Sequence, residues 1–394
     1  MESHGWKKEK LGSPVLMYQV TARLTVDSLL YRFFIRFGRI MDSGKIAAID
    51  LFCGIGGLTH GLENSGINVV AGFDIDGSCR YAYEKNNSAR FFERDVRKLR
   101  AEELLSLYPN GAIRMLAGCA PCQPFSTVTK LKYVKPENEN EPLRSFARLI
   151  RQVLPDIVTM ENVPNLRNRP VFKRFVRTLE RNGYAVWYDL IFAPDYGVPQ
   201  QRRRLVLLAS RLGGISLVPP THAKSDYPTV RQYIGNLQKI EAGEASERDP
   251  IHRSKNLLEV NKKRIRMSRP NGTWKDWDES SVALCHRKES GSSYKSVYGR
   301  MAWNAPSPTI TTEFYNYGSG RFGHPEQDRA ISIREGALLQ TFPLGYEFVP
   351  EGQPIYFETA GRWIGNAVPV KLAESIGLSI LKSVKDAKRR LHPE

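Results

Sequence analysis

Asp50-Leu51-Phe52-Cys53-Gly54-Ile55-Gly56-Gly57 closes an apolar run that starts at Ile46 and opens onto a helix-like segment. Glycines at 54, 56 and 57 let the chain turn sharply and let its backbone approach a ligand at the carboxyl end of a first strand. A glycine-rich turn after a strand is also found where nothing binds, so its neighbours have to decide. Asp74 ends the next apolar run, Asn68 to Phe73, about twenty residues on, where a carboxylate can accept both hydroxyls of a ribose. Asp95 closes a third run, Phe91 to Asp95. The turn lacks the full Gly-x-Gly-x-x-Gly pattern that seats a pyrophosphate, so an adenosine ligand without one suits it better than a dinucleotide. S-adenosylmethionine is such a ligand.

Further apolar runs, Ile113 to Ala117, Ile157 to Met160, Ala185 to Phe192 and Leu205 to Ala209, alternate with helix-like segments. Short buried strands separated by helices predict an α/β fold with a Rossmann-like parallel sheet covered on both faces. The rhythm stops after Ser210, and the chain to about 325 is rich in Gly, Pro, Ser, Arg and Trp, as in a smaller loop-rich domain. Helical patterns return at Ile333 to Gln340 and from Val370 to Val384, where Leu372, Ile376 and Ile380 repeat at fours. The expected divisions are an extension over 1–42, a catalytic domain over 43–215, a recognition domain over 216–325, a segment returning to the catalytic domain over 326–385, and a basic tail over 386–394. Leu29 to Ile40 is broken by Arg32, Arg36 and Arg39, and no apolar run has the roughly 20 residues of a membrane span. Five widely spaced cysteines do not read as a disulfide framework and fit a reducing compartment. The 58 Lys+Arg against 41 Asp+Glu of this 394-residue chain leave +17, an excess that points to a polyanionic partner.

Three more stretches carry chemistry. Gly118-Cys119-Ala120-Pro121-Cys122-Gln123-Pro124 follows a strand directly, and a cysteine held between prolines on a rigid loop at the sheet edge is placed to be a nucleophile. A zinc site with Cys119 lacks a second C-x-x-C and a local histidine, and a redox C-x-x-C normally opens a helix, which Gly118 and Pro121 do not support, so a single nucleophile at Cys122 is favoured and no metal is expected. Met160-Glu161-Asn162-Val163-Pro164 brings an acid to the same rim. In Gln200-Gln201-Arg202-Arg203-Arg204-Leu205, alternation sends Arg202 and Arg204 to one side and Arg203 to the other.

With these stretches, Arg334-Glu335, Leu339-Gln340-Thr341-Phe342-Pro343 and Gly365-Asn366-Ala367-Val368-Pro369 complete a series in which the chain resembles the C5-cytosine DNA methyltransferases over nearly all of residues 45 to 385. The resemblance implies a nucleophile at Cys122, an acid at Glu161 that holds the cytosine edge, and supporting arginines at Arg202 and Arg204. It implies a pocket for S-adenosylmethionine lined by Phe52, Gly54, Gly56, Gly57, Asp74, Ile75, Asp95, Val96 and Pro121, joined by Asn366 and Val368. Asp74 stands where the family commonly has Glu, and Ala120 where Pro or Phe is frequent. Cytosine carbon 5 is a poor nucleophile, so a thiolate first adds to carbon 6 while a carboxyl holds nitrogen 3 and a cation supports the adduct. The base must leave the stack for this.

The expected protein is therefore a DNA (cytosine-5-)-methyltransferase acting on a specific sequence in double-stranded DNA, in restriction-modification or as an orphan methylase. It is expected to be a cytoplasmic monomer, associated with the nucleoid through DNA. A transfer-RNA cytosine methyltransferase and a catalytically silent DNA-binding regulator are the rival readings. Between His222 and Pro325 there are 17 Lys+Arg against 11 Asp+Glu with Trp274, Trp277, Tyr294, Tyr298 and Trp303 among them, a composition suited to target recognition.

Overall fold

The computed structural model describes residues 45–121, 141–288, 291, 294 and 296–391. The strands are β1 (Ile46–Leu51), β2 (Asn68–Asp74), β3 (Arg90–Glu93), β4 (Ile113–Gly118), β5 (Ile157–Asn162), β6 (Ala185–Phe192), β7 (Gln200–Gln201), β8 (Arg203–Ser210) and β9 (Ser307–Pro308). The helices are α1 (Gly57–Asn64), α2 (Arg80–Asn86), α3 (Ala101–Leu105), α4 (Glu141–Val153), α5 (Pro170–Arg181), α6 (Val230–Ile234), α7 (Glu259–Met267), α8 (Leu284–Arg287), α9 (Ile333–Leu339), α10 (Phe357–Asn366) and α11 (Val370–Leu391).

Seven strands form one sheet in the order β3-β2-β1-β4-β5-β8-β6. β1 and β5 are buried along their whole length, as strands covered on both faces must be. The chain leaves β1 toward β2 and β3 on one side and resumes with β4 on the other, which makes the carboxyl ends of β1 and β4 the switch point where such sheets bind ligands. Leu51 pairs with both Phe73 and Gly118, and Gly118 with Met160, so the loops after β1, β2, β4 and β5 rise from one edge.

The expectation of an all-parallel sheet is corrected at its far side. β8 runs antiparallel to both β5 and β6. Only residues 193–202 connect β6 to β8, too few for the helical crossover that parallel neighbours need, so the chain turns straight back.

One face of the sheet, with Leu58, Leu62, Ile376 and Ile380, packs under α1 and α11, and the same cluster takes in Ile234, Ile251, Phe314 and Phe322 from the loop-rich region. The other face packs Phe146, Leu149, Phe172 and Phe175 of α4 and α5. Leu257, Ile265, Tyr317 and Ala330 form a small separate cluster. Helix α11 runs through Lys388-Arg389-Arg390 to Leu391, so the basic triplet forms a last helical turn whose charge suits the helix dipole. Residues 357–390 are long and apolar enough to cross a bilayer, but the length is two helices broken at 367–369, and 67% of its most apolar window is buried in the core.

Candidate active site

The glycine turn takes its shape from backbone that other residues would resist. Gly54 and Gly56 have φ of +52° and +90°, and Phe52, at +60°, is a non-glycine residue in the same left-handed region. The glycines divide their work. A Cβ at Gly54 would meet no atom within 4 Å, leaving open space beside it, whereas one at Gly57 would lie 2.4 Å from the Val368 carbonyl. Gly56 is closed in by Asn87, Tyr83 and Tyr346, and the Tyr346 hydroxyl donates to the Ile55 carbonyl. Gly57 therefore serves packing of the returning C-terminal segment, and Gly54 borders open space.

Asp74 is partly buried at the end of β2, where its oxygens accept the N–H groups of Gly54 at 2.8 Å and Asp76 at 2.9 Å. Burial raises its pKa against the pull of those two donors. Ile75 follows with 64% of its surface exposed. Asp95 caps the turn at Val96–Lys98 and pairs with Arg97 at 2.7 Å; its hydrogen bonds to that side chain lower its pKa. Val96 is buried beneath it. Asn366 is exposed at the end of α10, and Val368 is buried against Gly57. Beneath the turn, Asp50 accepts from Thr59 Oγ1 at 2.8 Å and its Oδ1 has no hydrogen-bond partner. Burial pushes its pKa up to about 7.

Asp74, with one bond on each oxygen and lone pairs to spare, could hold a nucleoside with an apolar base face together with the open side of Gly54, half-buried Phe52 and exposed Ile75, whereas both Asp95 oxygens are taken up by Arg97. Among the described residues no cluster of three or more His, Cys, Asp or Glu could hold a metal ion.

On the neighbouring strands, Glu161 is 7% exposed and faces Val206 across the β5–β8 pairing. Arg204 Nε lies 2.9 Å from Glu161 Oε1, close enough for strong charge attraction. The N–H does not point along that line, so Oε1 is a buried carboxylate oxygen without a directional hydrogen bond. Burial lowers the pKa of Arg204, opposed by Glu161. Arg202 shares the inward side with Arg204, as alternation predicts, but its bonds lead elsewhere: Nη1 donates to the Ile310 carbonyl at 3.0 Å and Nη2 to Ala367 at 3.4 Å. Arg203 lies over the ring of Phe192.

Asn162, quoted in the sequence without a role, donates to the Ala120 carbonyl at 2.9 Å and so holds the loop that leads through exposed Pro121 to Cys122. Cys122 itself lies outside the described residues. Burial, then Glu161 and Asp50, push the Cys119 thiol well above its ordinary pKa, which keeps it protonated. Gln200 and Gln340 were equally hidden as connectors. Gln200 donates to Gln340 Oε1 at 2.9 Å and accepts from Ile310 N, while Gln340 donates to the Ile364 carbonyl. In the sequence each is marked only by its place beside Arg202 or within Leu339-Gln340-Thr341.

The family model for the C-5 cytosine-specific DNA methylases matches residues 46–382. The chain is similar to the Type II methylase M.HgiDII of Herpetosiphon aurantiacus, with 53% identity over 88% of this chain and 97% of that one. It is 32% identical to the Type II methyltransferase M1.BsuMI of Bacillus subtilis, covering 87% and 82% of the two chains. Among solved structures, Dnmt2 methyltransferase of S. pombe shares the fold with a TM-score of 0.59 at 17% identity, over 87% of this chain and 99% of that one.

Proposed function

We propose, from the premise that the chain belongs to the C-5 cytosine-specific DNA methylases, that it methylates carbon 5 of a flipped cytosine in duplex DNA through a covalent adduct on Cys122. The methyl donor in this reading is S-adenosylmethionine, whose sulfonium supplies an electrophilic methyl group. The observation that carries the reading is the buried Glu161 oxygen, charge-compensated by Arg204 yet without a directional donor, beside the loop that Asn162 ties down. A cytosine edge brings N–H donors to such an oxygen.

The chain's own groups then divide the work. Cys122 adds as thiolate to carbon 6, and the electron pair moves to carbon 5, which takes the methyl group. Glu161 holds the ring at nitrogen 3 and the exocyclic amine, and Arg204 keeps positive charge beside it as the adduct forms. Removal of the carbon-5 proton restores the ring and expels the Cys122 thiolate. Arg202 and Gln200 keep the Arg204 strand in register with the C-terminal segment. Asp74, Ile75, Asp95 and Val96 hold the adenosine, with Phe52, Gly54, Gly56, Gly57, Pro121, Asn366 and Val368 completing the pocket.

The Type II names of the similar proteins support a sequence-specific enzyme of the restriction-modification kind, with duplex DNA as partner. Residues 216–325 are assigned to recognition of the target. The test is transfer of tritium from methyl-labelled S-adenosylmethionine. Label in duplex DNA at 5-methylcytosine supports the reading, and label in transfer RNA alone, or in neither, overturns it.

A further inference from the structure

The cofactor end of the site contains a chain of contacts that the catalytic groups leave unexplained. Asp76 donates its backbone N–H to Asp74 and caps the 3-10 turn Gly77–Cys79 through the Ser78 N–H at 3.2 Å. Its Oδ2 accepts from Arg362 Nη2 at 2.8 Å, a contact that comes from α10. The next residue of that helix, Trp363, is 8% exposed and places Nε1 3.3 Å from Ser78 Oγ. Helix α10 thus holds the turn that follows β2 at two points, Asp76 and Ser78, and Asp74 and Ile75 stand at its start. Arg362 lies one helical turn before Asn366 on the same exposed face.

We propose that Arg362 is a positioning residue for the adenosine end of the cofactor, acting through Asp76 to fix the turn 75–79 and so the direction in which Asp74 and Ile75 face. The proposal rests on the S-adenosylmethionine reading. Asp74 spends one acceptor site on Gly54 and one on Asp76, so any drift of Asp76 moves the carboxylate that is left to meet the ribose. The shorter Asp side chain has less slack than a Glu would have to correct such a drift. Side-chain exposures of 51% for Arg362 and 32% for Asp76 make the pair a weak contributor to stability. Its loss should therefore register in ligand affinity rather than in melting.

A rival role, direct contact between Arg362 and the carboxylate of the ligand's amino-acid end, is separable by chemistry. S-adenosylhomocysteine carries that carboxylate, and 5′-methylthioadenosine has the same nucleoside without it. Calorimetric binding of both to the full chain, to Arg362→Gln, to Asp76→Asn and to the double variant tests the proposal. The asparagine can still cap Ser78, so it removes the charge contact and leaves the turn's own bond.

The expected result is that each single variant weakens both ligands by roughly three- to tenfold, with the double variant no weaker than either single one. Arg362→Lys should recover part of the loss, and the melting temperature without ligand should hold in all of them. Unchanged affinities, a loss confined to S-adenosylhomocysteine, or additive losses in the double variant would overturn it. If the unaltered chain binds neither nucleoside, the cofactor reading itself falls and takes this proposal with it; binding by the unaltered chain with no change in the variants removes only the proposal.

Discussion

Between the two cysteines of the Gly118–Cys122 loop, protonation state separates the chemistry. Burial holds the Cys119 thiol protonated beside Glu161, a poor state for a nucleophile. Cys119→Ser should therefore leave the methylation rate within about twofold, whereas Cys122→Ser should reduce it by at least about a thousandfold while DNA binding persists, because a hydroxyl ionises far less readily than a thiol. Rates of tritium transfer and a gel-shift titration check both. His324 gives a second prediction at this scale. Its Nδ1 accepts the N–H of Gln327 at 2.9 Å and of Glu326 at 3.2 Å, an arrangement open only to the neutral ring, and burial brings its pKa down to about 4. The folded state thus binds fewer protons than the unfolded chain between pH 6.5 and 4, so stability is present above 6.5 and is lost as pH falls through that window, by about 3 kcal/mol in all. Glu335, held at about 2 because its ion pair with Arg329 outweighs burial, extends the loss from pH 4.5 downward. Urea midpoints should fall from pH 7 to pH 5, and His324→Gln should flatten that fall. None of this is legible in sequence, where His324 is one histidine among seven.

At the scale of elements, the strand limits are legible because buried strands read as unbroken apolar runs between turn residues. The direction of β8 is not, since an apolar run has no direction and the short connection decides it. The glycines are legible in part. Sequence reads the turn as a ligand contact, and the structure leaves open space beside Gly54, but the partners of Gly57 and Gly61 lie some three hundred positions away. A Cβ at Gly61 would sit 2.4 Å from both the Ala373 Cβ and the Val370 carbonyl, at the seam where α1 meets α11. Gly61→Ala should push that seam apart and cost about 1–3 kcal/mol, read as a lower urea midpoint. Gly54→Ala meets no neighbour and pays only the left-handed strain of roughly 1 kcal/mol, yet its methyl group enters the open space that the proposed cofactor would occupy. It should weaken S-adenosylhomocysteine binding more than it lowers stability, the reverse of Gly61→Ala.

Across the whole molecule, the loop-rich region is two kinds of chain under one composition. Ile234 and Ile251 belong to the same core as the sheet and α11, and so do Met301, Ile310, Phe314 and Phe322, whereas Leu257 and Ile265 pack with Tyr317 and Ala330 in a cluster of their own. In the second kind, basic side chains pack on aromatic rings. Arg264 lies over the rings of Trp277 and Tyr298, and Trp274 stacks on His286 at 4.7 Å. Sequence shows the mixture of Arg and Trp but not this partition, because the deciding contacts join residues far apart. The partition sets the limits for exchanging target recognition with a relative. A chimera that replaces residues 257–299 and keeps apolar side chains at 257 and 265 leaves the shared core and the Arg300 bonds to the His324 and Gln327 carbonyls in place, and asks the inserted segment only to offer Arg300 Nε backbone carbonyls where Ile265 and Ser268 now do. It should fold, bind S-adenosylhomocysteine as the unaltered chain does, and methylate a different DNA sequence, since the proposed function assigns base readout to residues 216–325 and base chemistry to the sheet rim. A wider exchange from 222 onward removes Ile234 and Ile251 from the core and should lower stability by several kcal/mol. Bisulfite sequencing of host DNA reads the outcome: an active narrow chimera with the original specificity would place recognition outside 257–299.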